Sequence, residues 1–344
     1  ARPTAACFTN DSGRSRFSIR TYGVASGPVG ELAALIAALT WSATSVALTS
    51  LSARTSPVVL SALRLGSATL LMPPILWISG QTGDLGEAPT WTLVQVILSG
   101  FVGYGLGDTV YILGLKRLGM QRTFPVTMAL FIGLTVVGGV VLLDEPFSWG
   151  LPAGALLIGA GIYLIVIPGA AKLSQPALVP IAEPAAAALA PLPAQNSAKG
   201  PGADIAGYGI LLLVGVLWAA ATLWLASAKG DLGAVAAGAI RTPAGAVALL
   251  GFALAIQPHE LKAPFLNRNH ILAIVAAGVV GTAFGSLMYV YAVVTAGAAK
   301  TAVLSATSPL LAMPLSILFL KERFTQRIGI GTILCVAGIV LVVL

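Results

Sequence analysis

Runs of about 20 apolar residues, each long enough to cross a hydrocarbon core about 30 Å thick, recur along this chain. They lie at 31–51, 57–79, 91–114, 123–143 and 148–168, and again at 207–228, 232–256, 270–294, 300–320 and 326–344. Composition agrees with a lipid-solvated chain. Of 344 residues 57% are hydrophobic and 9% charged, and mean hydropathy is +0.93, where soluble domains carry about 25% charged residues. A net charge of +7 would suggest nucleic acid for a soluble protein. Here the basic residues sit in short loops between apolar runs, where they orient a chain in the membrane, so no nucleic-acid partner is expected. Cys7 and Cys335, one in a polar leader and one in the last apolar run, build neither a disulfide framework nor a metal site.

The second constraint is duplication. Residues 143–167 recur at 320–344, and a shift of 177 pairs Leu143 with Leu320, Glu145 with Glu322, Phe147 with Phe324, Gly154 with Gly331 and Gly161 with Gly338. The same shift pairs Trp41 with Trp218 and Arg64 with Arg241, and a shift of 178 pairs Gly103, Gly107 and Tyr111 with Gly281, Gly285 and Tyr289. Such self-similarity marks one structural unit written twice. The expected fold is an all-α polytopic membrane protein with ten transmembrane helices in two five-helix repeats, at 28–168 and 207–344.

Residues 1–27 form a polar leader with Arg2, Arg14, Arg16 and Arg20 against one acid, Asp11. It reads either as a disordered leader or upstream sequence, or as the remnant of an Arg- and Ser-rich targeting peptide. The chain opens on Ala1 rather than Met, as a fragment or processed form would. A Pro/Ala-rich linker, 169–206, cannot bury a core and is expected to be flexible or extended.

Five crossings per repeat return the chain from the opposite face, so the second unit enters inverted. Loop charges support this. Arg54, Lys116, Arg117 and Arg122 follow the first and third runs, whereas Lys262, Arg268, Lys321, Arg323 and Arg327 follow the second and fourth runs of the other half. All then share one face, which the positive-inside rule makes cytoplasmic, with both termini outside. Inverted repeats are a recurrent plan of secondary transporters, with the solute site near the midplane.

The Trp in the first helix, the Arg early in the second, the small acidic turn with Glu and the G-x6-G helix occur here in duplicate. Together they resemble the EamA-type transporters of the drug/metabolite transporter superfamily, over residues 31–344. The resemblance implies ten helices, a central cavity between the halves, and export or exchange of small organic solutes such as amino acids, purines, sugars or drugs. It also implies cytoplasmic termini, against the loop count. One departure is visible: Pro309 precedes Glu322 in the ninth run, but the matching position is Ile132, with Pro125 earlier, so any helix break there should be asymmetric.

Charges inside a membrane are costly, about 2.5–3.5 kcal/mol for Arg or Asp at a helix centre, and only Arg64, Asp108 and Arg241 sit clearly inside the runs. Arg64 and Asp108 lie roughly 10 and 12 Å in from one face, on sequential antiparallel helices. That depth predicts an ion pair, either coupling or purely structural. The second repeat has Ser286 where Asp108 would recur, so Arg241 lacks the obvious partner. Either backbone carbonyls, Tyr289, Tyr291 or snorkelling satisfy it, or it receives an anionic group of the solute, which suits a guanidinium fork. Trp41, Thr44, Tyr104, Tyr111, Trp218, Thr222, Tyr289 and Tyr291 form the candidate cavity wall, the alternative for each being packing or interface anchoring. Arg241, Trp41, Trp218, Tyr111, Tyr289 and Tyr291 are the candidate substrate-binding set. Trp77, Trp91 and Trp149 at run ends read as interface anchors. Gly103/Gly107 and Gly281/Gly285 read as close-packing pairs, Glu31, Glu145 and Glu322 as wetted caps, and His259 and His270 as surface residues.

No phosphate loop, H-E-x-x-H or catalytic Ser/His/Asp set is present, so no enzyme and no cofactor is implied. The expected partners are a small-molecule solute and the lipid bilayer, for a monomer or homodimer in the bacterial inner membrane. The reading is a secondary transporter working by alternating access. The alternatives are a passive channel or facilitator, which requires a continuous polar stripe, and a non-transporting scaffold.

Overall fold

The computed structural model describes residues 28–142, 149–166, 204–227, 232–296, 304–305, 307–322 and 324–343. The leader, most of the linker and Glu145 lie outside them. Among the described residues the chain is helical throughout, without strands. In the first repeat α1 is Pro28–Ser52, α2 Pro57–Ile78, α3 Thr90–Leu118, α4 Met120–Leu142 and α5 Gly150–Val166. In the second, α6 is Ile205–Ser227 and α7 Ala234–Ile256. Next comes α8, running through Arg268–Ala277, Gly278–Gly285 and Ser286–Ala296, then α9 at Ser308–Leu320 and α10 at Gln326–Val343. Seven helices (α1–α4 and α6–α8) are long and apolar enough to cross a membrane, and α5, α9 and α10 contain shorter apolar segments.

Local chemistry sets the ends. Pro57 opens α2 after an extended Ser56, where its missing N–H has no helical partner to lose. The Asn267 side chain accepts from the backbone N–H of Asn269 and His270 and caps α8. Gly119, at φ +77°, ends α3 in a conformation that L side chains rarely adopt. Two connections that read as plain loops carry short helices, Asp84–Glu87 and Pro258–Lys262. The proline asymmetry is visible too: α4 runs unbroken past Pro125, whereas α9 starts at Ser308 with Pro309 in its first turn. Trp77, Trp91 and Trp149 are exposed at or near helix ends.

The helices pair across the repeats. The α2–α7 and α5–α10 contacts each join a helix to its own counterpart. The contacts of α4 with α6 recur as α9 with α1, and those of α3 with α6 and α7 recur as α8 with α1 and α2. Lipid tails are as apolar as Leu, so this association rests on close van der Waals packing and hydrogen bonds rather than on hydrophobic transfer. The G-x6-G helices show how. A Cβ on Gly161 would stand 2.5 Å from the Gly331 carbonyl oxygen and 2.6 Å from Cys335 Sγ, and one on Gly338 would stand 2.7 Å from the Gly154 carbonyl oxygen. Backbone meets backbone there, which any side chain would prevent. Val59, Ala62 and Leu65 of α2 likewise pack on Ala246, Leu249 and Ala253 of α7.

Both third helices widen halfway along. Phe101–Gly107 in α3 and Gly278–Gly285 in α8 are π-helical, a form that clusters at functional sites. Both segments are glycine-rich on the packed side: Gly103, Gly105 and Gly107, and Gly278, Gly281 and Gly285, are buried. Gly107 lies where a Cβ would come 2.7 Å from the Trp218 ring. Gly285 lies where one would meet Thr40 Oγ1 at 2.6 Å and Trp41 at 3.2 Å. The glycine pairs therefore pack the widened helix of one repeat on the tryptophan-bearing helix of the other.

Candidate functional site

The widened turns deliver the site. Asp108 is the first residue after the π segment of α3, and its carboxylate forms an ion pair with the Arg64 guanidinium from α2. Both side chains are largely withdrawn from solvent, at 6% exposure for Arg64 and 14% for Asp108. Asp108 Oδ1 accepts a further bond from Trp218 Nε1 of α6 at 3.0 Å. Arg64 Nη1 donates to Thr282 Oγ1, in the π segment of α8, at 2.6 Å. Trp218 stacks obliquely on Tyr111, ring centroids 5.1 Å apart, and the Tyr111 hydroxyl donates to Ser45 Oγ of α1 at 2.9 Å. One connected network thus runs Thr282, Arg64, Asp108, Trp218, Tyr111, Ser45 through α8, α2, α3, α6 and α1. Its charges cancel internally, as buried charges must to be tolerable.

The duplicate site is built on the same plan and filled differently. Trp41 stacks on Tyr289 at 5.0 Å, the counterpart of Trp218 on Tyr111. Arg241 occupies the Arg64 position on α7, and its guanidinium lies over the Tyr104 ring, 4.6 Å from the centroid. Tyr104 is the counterpart of Thr282, so a ring face replaces a hydroxyl. Ser286 stands at the Asp108 position. No salt bridge or hydrogen bond to Arg241 is found among the described residues, and its buried Nε has no acceptor there. A cation over an aromatic face gains about 0.5–2 kcal/mol, less than a buried carboxylate supplies.

The structure therefore brings Arg64, Asp108, Tyr111 and Trp218 together in one cluster and Arg241, Trp41 and Tyr289 in its counterpart. Tyr291 stands apart. Two residues on from Tyr289 it faces about 200° round the helix, and it is 47% exposed. Sequence reasoning matched Arg64 with Asp108 by depth. It missed Thr282 and Ser45, and it gave Tyr104 to the cavity wall rather than to Arg241. Once Thr282 is seen beside Arg64, the repeat relates Arg64, Thr282 and Asp108 to Arg241, Tyr104 and Ser286.

Two other expectations need correction. His270, read as a surface residue, is 6% exposed, and its Nε2 lies 2.7 Å from Thr55 Oγ1, tying the loop after α1 to the start of α8. A cavity of about 290 Å³ lies beside this tie, lined by Arg54, Ser56, Glu260 and Asn267 among others. Glu322, read as a wetted cap of its own helix, reaches the other repeat instead. Its two oxygens accept from the backbone N–H of Met120 at 2.8 Å and Gln121 at 3.1 Å, capping α4. Burial pushes its carboxyl above the usual range, opposed by those two N–H bonds and by the charge of Arg122. A second, almost wholly apolar groove of about 330 Å³ runs between α4 and α6, lined by Leu134, Val141, Leu142 and Leu223 among others.

Fold and site together define a multi-pass integral membrane protein made of two like units, with a buried charge network between them. Residues 28–167 and 205–344 each match the EamA-like transporter family, and the chain belongs to that family, within the drug/metabolite transporter superfamily. It is 33% identical over 119 residues to the probable 4-amino-4-deoxy-L-arabinose-phosphoundecaprenol flippase subunit ArnF of Erwinia tasmaniensis, a match covering 31% of this chain and 93% of that protein. A solved crystal structure superposes with a TM-score of 0.60 at 19% identity, covering 91% of this chain and 95% of that one, which supports the fold alone.

Proposed function

We propose that this protein is a secondary transporter that exports or exchanges a small organic solute by alternating access. Ten crossings in two inverted five-helix repeats, in a bacterial inner membrane, make up the proposed arrangement. The observation that carries it is the Thr282–Arg64–Asp108–Trp218 chain. Its two outer bonds, Arg64 to Thr282 and Trp218 to Asp108, cross between repeats inside the apolar part of the protein, where a rocking motion of one repeat against the other would break and remake them. Membership of a transporter family supports the same reading. Counterflow in proteoliposomes tests it, after a screen in an exporter-deficient host has supplied a solute. A carrier accumulates labelled solute against an unlabelled internal pool. A channel only equilibrates it, and a scaffold does neither.

The apolar groove between α4 and α6 favours a second reading, a lipid-linked solute whose chain occupies that groove while its polar part is carried. The relative named as a flippase subunit points the same way. Transfer of a fluorescent polyprenyl phosphate between leaflets, measured by dithionite quenching, would distinguish it from carriage of a free solute.

A further inference from the structure

We propose that Arg241 is a binding site for an oxyanion, a carboxylate or phosphate carried on the solute, and that Ser286 is the residue that leaves this site vacant of protein charge. The inference deepens the transporter reading and relies on it for the identity of the anion as cargo. It stands on the difference between two copies of one design. In the first copy the guanidinium has a hydroxyl on one side and a carboxylate on the other, Thr282 and Asp108. In the second it has the Tyr104 face, and the position that the repeat matches to Asp108 is Ser286.

Three observations place Arg241 at the corresponding point. Its backbone packs against Gly100 of α3, as that of Arg64 packs against Gly278 of α8, two glycines related by the repeat. Tyr289, one turn beyond Ser286, stacks on Trp41 just as Tyr111, one turn beyond Asp108, stacks on Trp218. Arg241 Nη2 lies 3.6 Å from where a Cβ on Gly103 would be, which places the guanidinium beside the π segment of α3. The buried Nε has no acceptor in either copy, at Arg64 or at Arg241, so what separates the two sites is the carboxylate and hydroxyl that only Arg64 receives. A guanidinium presents paired N–H donors in a plane, the geometry that a carboxylate or phosphate accepts two at a time. The Tyr104 ring, its centroid 4.6 Å from the guanidinium carbon, holds the cation by attraction to its π cloud and supplies no anion.

Purified protein in detergent tests this without transport. Benzoate is titrated against its uncharged analogue benzamide at constant ionic strength, with Tm and tryptophan fluorescence as readouts. A second arm adds phosphatidylglycerol in mixed micelles. Wild type should be stabilised by benzoate and not by benzamide. Arg241→Gln should weaken benzoate binding roughly 10- to 100-fold, the loss of hydrogen bonds to a charged group, with Arg241→Lys falling between. The decisive variant is Ser286→Asp, which supplies the carboxylate that Arg64 already has. It should raise the resting Tm and abolish the benzoate response, and it tests the site even where Arg241→Gln folds poorly. Stabilisation by phosphatidylglycerol alone would assign the site to a lipid headgroup and overturn the solute version. Equal responses to benzoate and benzamide, or an undiminished benzoate response in Ser286→Asp, would overturn the site itself. Benzoate binding without counterflow would sink the transporter reading alone, and counterflow without a benzoate response would sink this inference alone.

Discussion

Replacing Asp108 by Asn takes one charge out of the network and changes little else. Asn keeps an oxygen that can accept from Trp218 Nε1, so that 3.0 Å bond need not be lost. Thr282 still accepts from Arg64 at 2.6 Å. What is lost is the anion beside a guanidinium whose side chain is 6% exposed. Removing one partner of a buried pair costs about 3–5 kcal/mol, mostly because the other charge is stranded. At roughly 2–4 °C per kcal/mol, Tm should fall by on the order of 10 °C. Adding Arg64→Gln removes the stranded charge and leaves two amides able to bond each other, so the double variant should regain about half of the loss. The measurement is a double-mutant cycle on thermal melts in detergent. A double variant no more stable than Asp108→Asn would refute the reasoning and mean that Arg64 is satisfied by something other than the carboxylate.

Glycine substitutions should separate close contact from mere composition. Gly161→Ala forces α5 and α10 apart against the Gly331 carbonyl and should cost about 1–3 kcal/mol, whereas Gly159→Ala, with nothing within 4 Å of its new Cβ, should melt like wild type. Glu322 should make stability depend on pH. Its folded carboxyl titrates above the unfolded value of 4.5, so the folded protein holds the proton more tightly. Stability is then greatest below about pH 4.5 and declines as pH rises through the folded value. Melts of wild type and Glu322→Gln across this range should diverge, with wild type losing Tm relative to the variant as pH rises; parallel curves would contradict the burial argument. Thr55→Val should destabilise by about 1–3 kcal/mol, because it leaves the buried His270 Nε2 unpaired, and a neutral melt would mean that the tie contributes nothing.

The helical architecture was legible because lipid leaves the backbone few choices, and a long apolar run has one way to satisfy its own polar groups. Duplication was legible because landmarks such as Trp41/Trp218 and Arg64/Arg241 keep constant spacing. The depth of Arg64 and Asp108 could be counted from Pro57 and Lys116, since rise per residue is constant along a helix. Their remaining partners could not, because Thr282 and Trp218 lie in the other repeat and nothing local says which helices become neighbours. The π segments escaped for a related reason. Gly103, Gly107, Gly281 and Gly285 read as packing glycines, which they are, and the widened turn appears only when Trp218 and Trp41 are seen seated against them. Glu322 was misassigned because the first-turn rule considers only a residue's own helix, while the N–H groups it caps belong to α4.

The exchanged Trp–Tyr stacks bear on ancestry. Trp41 reaches Tyr289 and Trp218 reaches Tyr111, so each half lends its indole to the other and receives one in return. That is the bookkeeping of an isologous dimer, and a chain the length of one repeat could make every such contact with a second copy of itself inserted the other way up. In that pair any substitution would appear twice, and an aspartate beside one arginine would stand beside both. Joining the copies into a single gene product lifts that restriction. The difference between Asp108 and Ser286 is closed to two identical copies and open to the fused form, in which one arginine can be retired to a structural post while its twin is left free to specialise.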